Sequence, residues 1–195
     1  MKLRKTRLAA AIAAALCSGV VLAQQPAVAQ DTQRDANQQK RIEQGMQSGQ
    51  INNHEASKLE GEEKHVDKME AHDMKDGHMS AGEQQRLDSA QNKVSRDIAK
   101  DKHNGATGDP DSKTSRRMEA DVQRDANQEQ RISNGERSSQ LSGRQVGKLE
   151  RGQAHDDAKQ SAADANGHIT RDEQNSINRS DNRQSDHVHD DRGGY

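Results

Sequence analysis

The chain has 195 residues, of which 32% are charged, with no Trp, no Phe and a single Tyr. Aromatic side chains ordinarily supply much of a core's buried area, so a large conventional apolar core is excluded and the composition approaches that of disorder. The acidic balance, without a basic block or aromatic platform, argues against nucleic acid as a partner.

Residues 1–29 read as a secretory signal peptide. "MKLRKTR" is a basic n-region, "LAAAIAAALCSGVVLA" is a short apolar h-region, and Ala27–Ala29 supplies a small-x-small cleavage site. A weaker cleavage site ends at Ala23. The expected location is periplasmic or secreted, with cleavage near Ala29 and no integral membrane segment in the mature chain. Removing the leader lowers the basic count from 30 to 26 against 32 acidic residues, a net charge of −6. It also removes Cys17, the only cysteine, so no disulfide can hold the fold despite an oxidising compartment.

The mature region is a duplication. "DTQRDANQQKRI" from Asp31 recurs as "DVQRDANQEQRI" from Asp121, and an ungapped offset of 90 gives 24 identities over 74 positions. The expected organisation is helical repeat 1 over 30–104, a flexible linker over 105–120, helical repeat 2 over 121–186 and a disordered tail over 187–195. A Gly-, Ser- and Asp-rich stretch around Pro110 marks the linker.

Within each copy a turn signal recurs. A turn residue is followed by an apolar residue, then Ser, Thr or Asn, then Glu or Gln three residues later. Ser80 with Glu83, and Thr170 with Glu173, make the S/T-x-x-E capping box. Asn52 with Glu55 and Ser142 with Gln145 are weaker versions. Gly77 and Gly167 suit the left-handed end of the preceding helix. These signals predict helices over 32–46, 53–75, 81–101, 122–136, 143–165 and 171–186. Leu59, Val66 and Met69 share one stripe, and Leu87, Val94 and Ile98 another. Asp156 and Gln184 replace Val66 and Val94 in the second copy, so the first copy is expected to be the more stable. The fold class is all-α: two tandem three-helix units with EF-hand-like helix-turn-helix pairs and a partly disordered linker and tail.

The turn "ADANGHITRDE" at 163–173 resembles the back half of an EF-hand. With Gly167 at loop position 6, Asp164, Asn166, Thr170 and Glu173 occupy ligand positions and Ile169 the apolar one. The first copy offers Asp76, Ser80 and Glu83. Position 1 is Ala162 in one copy and His72 in the other, which implies calcium affinity at the weak end, about 10⁻⁴–10⁻³ M. A glycine C-cap followed by a capping box accounts for Gly167, Thr170 and Glu173 without an ion.

A second metal set is "HVDKMEAHDMKDGHM", with His65, Met69 and His72 on one helical face and His78 nearby. His187 and His189 add to it in the tail. Imidazole and thioether ligands suit copper. No constellation suggests catalysis, because the mature chain lacks Cys and its Ser and His residues lie on polar helices and linkers. The turn-plus-cap repeat, with "RI…G…SGQIN…EA…L" and "DGHMS…E", resembles a group of small exported bacterial proteins of uncharacterised role. The expected function is an exported, non-enzymatic protein with weak divalent-cation binding at degenerate EF-hand turns and calcium as its ion. The alternatives are a hydrophilin-like stress-protective polyampholyte and copper binding through His and Met. The helical stripes also suit an envelope protein as partner.

Overall fold

The computed structural model describes residues 27–166 and 168–193; the greater part of the expected leader lies outside the described residues. Six helices follow in order: α1 (Ala27–Gln47), α2 (Asn53–Asp73), α3 (Ala81–Asp101), α4 (Lys113–Arg137), α5 (Gly143–Asp164) and α6 (Arg171–Asp191). A single 3₁₀ turn, Met74–Asp76, extends α2. The described residues contain no strand, and no helix there is long and apolar enough to cross a membrane.

Local chemistry sets the helix starts. The Asn52 amide N–H donates to Glu55 Oε2 while Glu55 N–H donates to Asn52 Oδ1, both at 3.0 Å. Ser80 with Glu83 and Thr170 with Glu173 close the same reciprocal box. Ser142 N–H donates to Gln145 Oε1 at 3.0 Å. Each box satisfies amides that the first helical turn leaves without partners. At the other side of these turns the chain enters the left-handed region, at Gly49 (φ 71°), Gly77 (φ 92°) and Ser139 (φ 59°). Ser139 is the repeat equivalent of Gly49, and a β-carbon in this conformation costs roughly 1–2 kcal/mol. Ser139→Gly should therefore raise stability by about 1 kcal/mol, read as a shift of the urea midpoint at constant m.

The two copies are not separate units. The closest packing is between equivalent helices of different copies, α2 against α5 and α1 against α4. Both pairs run antiparallel. Ser57 Oγ donates to the Ser161 carbonyl at one end of the α2–α5 pair, and Arg144 Nε donates to the Asp76 carbonyl at the other. In the α1–α4 pair, Gln33 meets Gln130 and Gln123 meets Glu43. An internal two-fold across the helix axes thus relates the copies. Contacts inside each copy repeat faithfully: Gln84 to Asp31 and Gln174 to Asp121, Arg41 to Ser95 and Arg131 to Ser185. Helices α3 and α6 cover the outside of this four-helix centre.

The apolar residues form two unequal groups. The smaller, Ile132, Leu141, Val146, Leu149 and Val188 with Val28, has its repeat equivalents Ile42, Ile51, Ala56, Leu59, Ile98 and Met118 in the larger, which also takes in Val66, Leu87 and Val94 and, from the second copy, Ile169 and Ile177. The apolar core therefore draws on both copies, and the expectation that the first copy is the more stable has no separate unit to apply to. Gln184, in place of Val94, stays buried by donating to the Leu149 carbonyl at 2.8 Å.

Two boundaries differ from expectation. The flexible linker over 105–120 ends at Ser112, which caps α4 by accepting from Ser115 N–H, and Met118 inside that stretch is buried. The disordered tail over 187–195 is helical to Asp191, because Val188 is fully buried against the second apolar group. Each stretch looks like linker or tail by composition, yet one apolar side chain in each anchors a helix to the core.

The start of α5 packs directly on the turn after α2. A β-carbon at Gly147 would lie 2.8 Å from Met74 Cβ and 3.2 Å from the Met74 carbonyl carbon. In a free helix Gly→Ala gains about 1 kcal/mol. At Gly147 the sign should reverse, with a loss of about 1–3 kcal/mol from overpacking, measurable by thermal melting.

Candidate metal centre

The centre of the four-helix layer is lined by carboxylates. On α2, Glu60, Glu63, Asp67 and Glu70 follow at intervals of three, four and three residues, which places them on one face. Their repeat equivalents on α5 are Glu150, Gln153, Asp157 and Gln160. Helix α1 contributes Asp31, Asp35, Gln38 and Gln39, and α4 contributes Asp121, Asp125, Gln128 and Glu129. All sixteen side chains are buried, and among the described residues no Lys, Arg or His is buried with them.

Two groups stand out. Glu60, Asp125 and Asp157 bring one carboxylate oxygen each to within 4.8 Å of the others, and Asp67, Glu129 and Glu150 do the same. The first group lies where Gln39 Nε2 donates to Glu60 Oε2 (3.2 Å) and Gln160 Nε2 donates to Asp125 Oδ2 (2.7 Å). In the second region, Gln91 Nε2 donates to Asp35 Oδ1 at 2.7 Å. Many of the remaining oxygens, including both of Glu63, Glu70, Glu150 and Asp157, find no hydrogen-bond partner among the described residues.

The electrostatic consequence is uniform. Burial, which strips water from the charged form, pushes the Asp35 and Glu60 carboxyls up to about 7. Burial again, followed by the negative charge of neighbouring carboxylates, drives Glu63, Asp67, Glu129, Glu150 and Asp157 well above the ordinary carboxylate range. A cluster of bare carboxylates in a dry interior is strongly unfavourable. It must take up protons or cations. The donors are oxygens throughout, without imidazole or thiolate, which is the ligand chemistry of hard cations such as calcium, magnesium or manganese.

The turn residues sit elsewhere. Thr170 N–H and Oγ1 donate to Glu173 Oε2 at 2.8 and 2.7 Å, and Asn166 Oδ1 accepts from His168 N–H at 2.9 Å. In the other copy Ser80 N–H donates to Glu83 Oε2, and Asp76 Oδ1 accepts from His78 N–H. The Ser80 and Thr170 hydrogen bonds hold the Glu83 and Glu173 carboxyls below their ordinary values. These oxygens thus serve the turn's own N–H groups. Gly167 and the side chain of Asp164 lie outside the described residues.

His65, Met69 and His72 line one outer groove between α2 and α3, as their spacing predicts. Lys68, Arg86 and Asp73 share that groove; Asp73 is already engaged by His72 Nδ1 at 3.0 Å and by Arg86 at 4.0 Å, and the two basic side chains oppose a further cation there. His78, His187 and His189 are exposed on a turn and on the last turns of α6.

The interior stripe is absent from the sequence reading. A charged stripe on a helix ordinarily marks the solvent face. The available signal was the duplication itself, in which Asp31, Asp35, Glu60 and Asp67 recur unchanged as Asp121, Asp125, Glu150 and Asp157. No family model, curated protein or solved structure matches the chain. What the fold and site define is a class by construction: an all-α bundle of two interleaved repeats with an acidic interior.

Proposed function

We propose that this is an exported, non-enzymatic protein that holds hard divalent cations, calcium foremost, in its carboxylate interior. The observation that carries this reading is the pair of buried three-carboxylate groups with, among the described residues, no basic residue buried beside them. The proposal keeps the cation class implied by the turns and moves the binding site from the turns to the bundle centre. Cleavage after Ala23 suits this reading better than cleavage after Ala29. Ala29 is fully buried in α1 and its carbonyl accepts from Ser133 Oγ at 3.1 Å, contacts that the later cut would remove.

The test is thermal melting of the chelator-stripped chain at pH 7.5 with Ca²⁺, Mg²⁺ or Mn²⁺ added. Each effective cation should raise the midpoint by mass action. Combining Asp67→Asn with Glu150→Gln should blunt the rise. Glu173→Ala should lower the baseline through the lost half of the capping box and leave the cation response intact. No response to any cation, or a response abolished by Glu173→Ala alone, would overturn the proposal.

A further inference from the structure

The two interior groups share two repeat-equivalent members, Glu60 with Glu150 and Asp157 with Asp67, and are unequal in charge. Around Glu60, Asp125 and Asp157 stand the amides Gln39 and Gln160, and Asp181 nearby is matched by Arg124 Nε at 3.0 Å. The repeat equivalents of Gln39 and Gln160 are Glu129 and Glu70. Glu129 is itself one of the Asp67–Glu129–Glu150 group. Asp35 presses its negative charge on Glu129 and Glu150, and these two in turn press theirs on Glu70. The second group thus has two carboxylates where the first has two amides, against a single reverse exchange: Gln91, which donates to Asp35, is Asp181 in the first region, where Arg124 offsets the charge it places on Asp125. Between the groups on α2 lies Glu63, 1% exposed, with both oxygens unpartnered among the described residues. Its negative neighbours come from both groups: Glu60 and Asp157 from one, Glu129 from the other.

We infer that the interior is a pair of coupled cation sites that fill in order, the Asp67–Glu129–Glu150 site first and the Glu60–Asp125–Asp157 site second. This inference rests on the proposed cation-binding function. Glu60 and Asp67 are seven residues apart, so the sites lie about 10 Å apart along α2. At that separation the first cation reduces the field that draws in the second. The affinity of a hard-cation site rises with its ligand charge, so the more acidic site takes the first ion.

The repeat supplies its own control. Glu129→Gln gives the first site the amide that the second already carries at Gln39, and Gln39→Glu does the converse. Both exchanges preserve side-chain size, and circular dichroism checks the helix content of each variant. Calorimetric titration of the chelator-stripped mature chain with Mn²⁺ at pH 7.5 should show two steps, at least tenfold apart in Kd. Glu129→Gln should weaken the tighter step by tenfold or more, and Gln39→Glu should strengthen the weaker one. Two indistinguishable steps, a single step, or a Glu129→Gln variant that alters only the weaker step would overturn the ordering while leaving cation binding in place. Absence of any binding would overturn both.

Discussion

Stripped of cations, the protein should be most stable in mild acid and lose stability steadily as the pH rises from about 4 to 7. The sign follows from the interior carboxyls. Burial raises Asp35 from 3.8 to about 7 and Glu60 from 4.5 to about 7. Below both the unfolded and the folded values each group is protonated in both states and opposes nothing. Between them the unfolded chain releases its proton while the folded chain keeps it, so folding becomes less favourable as pH rises. Above the folded value the penalty is constant, on the order of 3–4 kcal/mol for each of these two groups. Asp31, raised to about 6, and Asp181, raised to about 7, act in the same direction. Groups held low by partners act oppositely. Asp97 beside Lys93, and the capping carboxylates Glu83 and Glu173, contribute stability that is lost as pH falls through their lowered values. The optimum should therefore lie near pH 4–5. Urea unfolding at pH 4.5, 6 and 7.5 in chelator checks it, and a midpoint that climbs monotonically toward pH 7.5 is incompatible with this account.

Glu63→Gln should stabilise the metal-free protein, against the usual direction of a buried substitution. Glu63 is buried among like charges and has no hydrogen-bond partner among the described residues, whereas its repeat equivalent is already Gln153. At pH 7.5 the folded chain must either hold this carboxyl protonated or bear its bare charge. Holding a proton against an ordinary value near 4.5 costs about 4 kcal/mol at that pH, so the amide should recover up to that amount. At pH 4 the gain should vanish, since the acid is protonated in both states. Chemical denaturation of both chains at the two pH values separates this from a simple packing effect, which would persist at pH 4.

The same two outcomes explain how a chain so close to a disordered composition can adopt a defined interior. Its apolar side chains suffice to close the two ends of the bundle, where Ile42 and Leu59 at one end answer Ile132 and Leu149 at the other. The middle depends on neutralising its carboxylates. On this account the stability of the chain would be lowest at neutral pH in chelator, where neither protons nor cations neutralise the interior.

The helices themselves were legible from residues close in sequence. Asn52 with Glu55, Ser80 with Glu83, Ser142 with Gln145 and Thr170 with Glu173 start helices where the spacing predicts, because a cap is satisfied within one turn of chain. The duplication and the all-α class followed from the same local signals. Tertiary structure alone decided that the copies interleave and that Met118 and Val188 anchor helices in stretches composed like linker and tail. It also decided that the Glu60–Glu70 face points inward. A helical period says which residues share a face but not which face meets a partner. Here α5 covers the acidic face of α2, and that long-range pairing turns an apparently solvated charge stripe into the candidate site.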